Sequence, residues 1–373
     1  MRKTSKGKII IADTYLESIL DVAEEQAGNY PGQERQEVTS KVLNEFFKNL
    51  TTITGGTADD IIAEAEEDIK VALADSLKQQ RAFERRLYNS HKRLFEKYQV
   101  LMEVCSELAD KHRKEVYDAV GNDNLFNLLV RLHARVLRNG AEIGALARAG
   151  YGTGVLARWR AMHEVHVTLA FLRDYGDKAA RAYYDYGAIS SYKALDDYQT
   201  YSSQLGIIPF SQDEVDAMKR DRDRVVKKYG SLMNEDYGWA RWLSDGSIKT
   251  FRQLEAAADF GHYRPYYRYA SLGIHSEWRS LTSGEEAEAL YGDDPVHLVR
   301  PADWGFEDAL RLAMITASSA TAILLDYNHS VGSLVNMHVM QKMLENALDE
   351  YVTLAKCSKF CYNISIRIRI KRL

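Results

Sequence analysis

Proline is scarce in this chain, with five residues in 373. Proline punctuates turns and breaks helices, so long stretches without it favour extended helices over many short strands. Cysteine is scarcer still. Cys105, Cys357 and Cys361 form an odd set with no disulfide spacing, which fits a reducing, cytoplasmic setting. No run of about 18 apolar residues suggests a membrane span. The apolar stretch Ile9-Ile-Ile-Ala12 behind the basic N-terminus is too short for a secretory signal. Charge of one sign is also lacking. The formal net charge is -4, so the molecule as a whole is no polyanion binder, and contact with nucleic acid would need a local basic patch. Gly-x-Ser-x-Gly, His-Glu-x-x-His and Cys-x-x-Cys motifs are absent.

What the chain does have is 46% hydrophobic residues, enough for a substantial core and against global disorder. Apolar residues recur at three-to-four spacing, so the expected fold is all-α. Val38, Val42, Leu43, Phe46, Phe47 and Leu50 mark a first helix, and Gly55-Gly56 is expected to end it. A long amphipathic arm follows from Thr57 to about Val120. It carries Ile61, Ile62, Ala65, Ile69, Val71, Leu73 and Leu77, then Leu87, Leu94, Tyr98, Leu101, Val104 and Leu108. Such a seam packs on the body of the protein or joins a protein partner as a coiled coil. Gly121-Asn-Asp-Asn reads as a turn and a domain boundary. The expected organisation is therefore an N-terminal helical arm or domain over 1–120, a helical domain over 121–355 and a basic tail over 356–373.

Within the second part, helices are expected at 125–149, 155–174, 177–205, 211–228, 250–259, 264–281, 302–328 and 333–355. Gly150-Tyr-Gly-Thr-Gly154 reads as a loop between helices with Thr153 as cap. It lacks the following Lys-Ser or Lys-Thr, and the preceding strand, of a phosphate loop. Gly206 and Pro209 end one helix, and Ser211-Gln-Asp-Glu is a capping box that opens the next. Residues 230–250, with Gly230, Gly238 and Gly246, read as a loop. The tyrosines between Tyr183 and Tyr201 are expected to pack in core and interface, because Asp185, Asp196 and Asp197 sit among them. The mixed-sign run 219–228 is expected to be a solvated helix face. The last residues alternate apolar and basic, Ile366-Arg-Ile-Arg-Ile-Lys371, a strand period with no sheet to join.

The chemistry-bearing stretch is Tyr266-Tyr-Arg-Tyr-Ala-Ser-Leu-Gly-Ile-His-Ser-Glu-Trp278. Read as one helix, it puts Arg268 and His275 about two turns apart on the same face. A histidine moves protons near neutral pH, and an arginine grips phosphoryl oxygens, so the pair suits cleavage of a phosphodiester without a metal. One copy of each is thin for two proton transfers; a symmetric dimer would bring two. Ser271 and Ser276 add donors, and Tyr266, Tyr267 and Tyr269 are candidates for stacking on bases. The competing reading is a structural histidine that donates to a carboxylate such as Glu164. Upstream, Arg160 and Glu164 stand four apart and either bridge each other or orient the Arg268–His275 pair. His163 and His166, with Glu164 and His262 or His275, have the residue types of a bundle metal site. No Glu-x-x-His pair recurs as a di-iron bundle requires, so no metal or other cofactor is assigned.

Arg268 and His275, separated by six residues, resemble the arginine, four-to-six residues, histidine motif of the HEPN superfamily, at the long edge of its spacing. Tyr267, Ser271, His275 and Ser276, with Arg160-x-x-x-Glu164 upstream, more closely resemble a bacterial family of unknown function. The resemblance spans roughly residues 125–330. It implies an all-helical domain, usually dimeric, of a kind often found as metal-independent ribonucleases in toxin, immunity and antiphage-defence systems. On that reading Arg268 and His275 are catalytic with Glu164, and Arg160, Tyr267, Ser271 and Ser276 support them. The other function classes are a non-catalytic helical binding or sensor module in a defence complex, and a helical-bundle metalloenzyme with His and Glu ligands.

Overall fold

The computed structural model describes residues 30–121, 123–272, 274–275 and 301–357, with two-residue segments at 2–3, 9–10, 24–25, 27–28, 290–291 and 294–295. The fold is all-α. The extended pairings among the described residues are two ladders, Arg2–Lys3 with Ile9–Ile10 and Leu290–Tyr291 with Asp294–Pro295. The chain divides into two compact units, Met1–Ala82 and Phe83–Leu373. The alternating C-terminal tail lies outside the described residues.

The first unit holds most of helix α1, Gly32–Ser90. The break expected at Gly55-Gly56 does not occur. Backbone hydrogen bonds of a helix need no side chain, and each glycine costs only about 1 kcal/mol relative to alanine. The turn falls at His91 instead, ahead of α2, Lys92–Val120. Ile69, Leu73 and Leu77 of the expected seam stay exposed rather than packed.

The boundary expected near residue 120 is also displaced. Helix α2 packs on α3 (Asn124–Arg148), α9 (Glu307–Asp326) and α10 (Val331–Cys357), so it belongs to the second unit. Between α3 and α9 come α4 (Gly152–Leu205), α5 (Gln212–Tyr229), α6 (Gly238–Leu243), α7 (Phe251–Ala257) and α8 (Arg264–Leu272). Helix α4 begins with Tyr151, not Thr153, as its N-cap residue. It bends at Gly176, whose φ of 67° and ψ of -155° no L side chain adopts readily, so the chain is two helices joined at that residue. Gly206 closes it in the left-handed conformation, and Ser211 with Glu214 forms the reciprocal capping box that opens α5.

Helix α9 is the interior post of this unit, packed by α2, α3, α4 and α10. Its length and composition alone would let it cross a membrane, but most of it is buried within the fold. Ala309, Ala313, Ala317 and Ala320 let neighbouring helices approach closely. Two of its buried hydroxyls, those of Thr316 and Thr321, meet partners on neighbouring helices. Trp159 donates to Thr316 Oγ1 at 3.3 Å, and His133 Nε2 lies 2.8 Å from Thr321 Oγ1. Burial of that imidazole pushes its pKa down to about 4. Trp159, Phe126, Phe171 and Leu129 are fully buried around the post, each worth about 1.5–3 kcal/mol in removal of apolar surface from water.

Residues 230–250 are not one loop. They hold a 3₁₀ turn, Ser231–Asn234, and α6, whose Trp239 and Ala240 are buried. Gly238 makes this possible: a Cβ there would lie 2.2 Å from the Met233 carbonyl oxygen, a clash with backbone that no rotamer relieves. Gly238→Ala is therefore expected to lower stability by about 1–3 kcal/mol in urea unfolding. Gly187→Ala, in α4 with open space around it, is expected to be neutral or to gain up to about 1 kcal/mol. Equal behaviour of the two variants would contradict the close approach.

Candidate functional site

Arg160 and Glu164 lie on the part-exposed edge of α4, while Trp159, Met162, His163, His166 and Val167 turn inward. Helix α8 crosses this edge. Tyr263, Tyr266, Tyr267 and Ala270 pack down, leaving Arg268 and Tyr269 outside. The Tyr267 hydroxyl donates to Glu164 Oε1 at 2.5 Å. Arg160 Nε donates to the same oxygen at 3.3 Å. The guanidiniums of Arg160 and Arg264 lie over the Tyr267 ring, 4.6 and 4.8 Å from its centroid. Burial raises the Tyr267 pKa and the Glu164 carboxylate raises it further, so the phenol stays protonated and remains a donor. Burial also raises Tyr237, beside the same carboxylate.

The helix expected to carry both Arg268 and His275 ends at Leu272. Backbone N–H groups of Ile274 and His275 then bond the Ser271 carbonyl at 3.2 and 3.1 Å, a turn that closes the helix. Arg268 and His275 share no hydrogen bond. Arg268 is exposed and forms no hydrogen bond or ion pair among the described residues. The cation that meets His275 is Arg160, with Nη1 3.0 Å from His275 Nε2. A guanidinium has no acceptor, so Arg160 donates, Nε2 accepts and the ring proton sits on Nδ1. His275 is exposed and touches Arg160, not the Glu164 carboxylate that a structural histidine was expected to use. The Ser271 hydroxyl bonds back to the Tyr267 carbonyl at 2.7 Å, so its backbone rather than its side chain positions His275. Ser276 lies outside the described residues.

A second set of charges lies below. Glu255 of α7, 1% exposed, receives His163 Nε2 at 2.9 Å on one oxygen and Arg264 at 3.3 Å on the other. Its partner Arg264 also covers Tyr267, so this buried carboxylate supports the upper cluster. Glu255 was missed in the sequence, although Phe251, Leu254, Glu255 and Ala258 form an apolar stripe in which a lone acid is out of place. His166 goes elsewhere, to Ser319 Oγ at 3.0 Å, and burial, with the charges of His163 and Arg173 beside it, pushes its pKa down to about 3. His262 is exposed, its ring tilted against Tyr263 with centroids 4.2 Å apart. The expected histidine pair thus splits, and no group of three or more His, Cys, Asp or Glu converges among the described residues.

A model of a family of unknown function (DUF5677) matches residues 126–287. That segment contains Arg160, Glu164, Glu255, Tyr267 and His275. No curated protein and no solved structure matches the chain.

Glu255→Ala would leave His163 and Arg264 without their shared carboxylate. Breaking a buried pair costs about 3–5 kcal/mol, and because Arg264 is partly exposed the expected loss is at the low end, about 3 kcal/mol in urea unfolding. A loss below about 1 kcal/mol would mean that Glu255 does not brace the site.

Proposed function

We propose that the protein is a metal-independent endoribonuclease. The observation that carries this reading is the surface contact between Arg160 Nη1 and His275 Nε2, with Glu164 and Tyr267 fixing the guanidinium from behind. A phosphodiester entering here offers the guanidinium a better acceptor than an imidazole. Arg160 turns to the phosphoryl oxygens, with Arg268 as the second cation, and His275 Nε2 is freed. Nε2 takes the proton of the ribose 2′-OH; the 2′-oxygen bonds to phosphorus and the 5′-oxygen leaves with a proton, giving a 2′,3′-cyclic phosphate end. The proton for the leaving oxygen comes from a second histidine, most simply the same residue of a second copy in a homodimer.

The resemblance to HEPN proteins, together with cysteines that suit a reducing compartment, extends the proposal to a cytoplasmic toxin or antiphage-defence effector. The exposed Ile69, Leu73 and Leu77 of α1 support a protein partner at the N-terminal helix. One observation favours a second reading, a non-catalytic binding or sensor module: Arg160 occupies the histidine nitrogen that a base needs.

Purified protein incubated with total RNA and a labelled tRNA pool in EDTA separates the two. The expected result is cleavage with cyclic phosphate ends. His275→Ala should slow it by about 10²–10⁴-fold, with thermal stability held. No cleavage by a folded, dimeric protein would leave the binding module as the better reading.

A further inference from the structure

The exposed face of α3 is basic in a chain that is acidic overall. Arg131, Arg135 and Arg138 stand at i, i+4 and i+7, all exposed, so they line one side of the helix. The one acidic residue of α3 is Glu142, and it is shared by Arg138 at 3.5 Å and Arg158 at 2.8 Å. Arg131 and Arg135 have no ion-pair partner among the described residues. Many arginines elsewhere in this unit are bridged, Arg173, Arg181, Arg222, Arg224, Arg241 and Arg311 among them; Arg131 and Arg135 differ in standing unbridged on one face of one helix. A surface that leaves cations uncompensated side by side repels itself and attracts a polyanion. Arg131 to Arg138 spans about 10 Å of helix, the reach of about three nucleotides of a stacked strand at 3.4 Å each.

Arg135 is close enough for its charge to act on the Tyr183 hydroxyl. The Tyr183 ring meets Trp239 edge-on at 5.0 Å, and Tyr237, two residues before Trp239, borders Glu164 and Arg160. The nearby Asp185 does not oppose a phosphate strand with a bare charge, because Lys228 and the Tyr229 hydroxyl both hold it at 2.7 Å.

We propose that Arg131, Arg135 and Arg138 form a track that holds the sugar–phosphate backbone of single-stranded RNA. The RNA chemistry rests on the ribonuclease reading; the basic face does not. The test is binding rather than cleavage: fluorescence anisotropy of a labelled single-stranded RNA with full-length His275→Ala protein, alone and with Arg131→Glu and Arg135→Glu, over a salt series. Arg131→Gln with Arg135→Gln serves as the milder pair, and circular dichroism checks the fold of each. The expected outcome is at least a tenfold weaker Kd for the Glu pair and a smaller loss for the Gln pair. The slope of log K against log salt should fall by about 1.4 in the Gln pair, since each phosphate contact on a single strand contributes about 0.7. Unchanged affinity and slope in folded variants would overturn the track, as would RNA that fails to bind at all. Cleavage by the wild type alongside unchanged binding would sink the track alone. Arginine-dependent binding without any cleavage would sink the ribonuclease reading and leave the track standing.

Discussion

One carboxylate oxygen, Glu164 Oε1, joins the two helices that make the site. It accepts from Tyr267 on α8 and from Arg160 on its own helix, four residues back. Charge-assisted bonds of this kind are about twice as strong as neutral ones. Here their geometry matters more than their strength. With Nε tied to Glu164 and the guanidinium plane laid over the Tyr267 ring, Arg160 keeps an Nη edge directed outward, and His275 meets that edge. Loss of the carboxylate would release the arginine and the phenol together, so Glu164 and Tyr267 position Arg160.

Below this level Glu255 repeats the device in a drier setting. It lies between His163 and Arg264, and Arg264 then returns to the Tyr267 ring from which the upper cluster hangs. His163 and Glu164 are adjacent in sequence but serve different layers, one in the core and one at the surface. A buried carboxylate without partners would be expelled or protonated. Supplying both oxygens from α4 and α8 makes the crossing of those helices a condition for burying α7. Rigidity at the surface site therefore derives from charge satisfaction in the interior, and the interior derives from packing around α9.

Much of the fold was legible because it depends on local rules. The Ser211 capping box, the Gly206 terminator, the helix end at Gly121 and the periodicity of α3, α9 and α10 act within a few residues. The misreadings have physical causes too. Gly55-Gly56 is tolerated because a helix bonds through its backbone, and α6 forms because Gly238 permits a contact with Met233 that no propensity scale registers. At the site, the residue types Arg160, Glu164, Tyr267 and His275 could be picked from the sequence, and the Arg160–Glu164 bridge was one of its two readings, but the partners of Tyr267 and His275 could not. Arg268 and His275 share a helix face only if the helix runs through His275, and it stops at Leu272. The partner that replaces Arg268 is 115 positions away in the chain, brought in by helix packing. Glu255 was hidden for the same reason, since its meaning depends on His163 and Arg264.

The most direct test of this arrangement is the side-chain ¹⁵N spectrum of histidine-labelled protein, in wild type, Arg160→Ala and Arg268→Ala. Assignment comes from the signals lost in His275→Ala. The expected spectrum shows His275 as the Nδ1–H tautomer with an accepting Nε2, and the Nε2 signal moves in Arg160→Ala but stays in place in Arg268→Ala. A signal that moves with Arg268 and ignores Arg160 would contradict the assignment of Arg160 as the cation of the site.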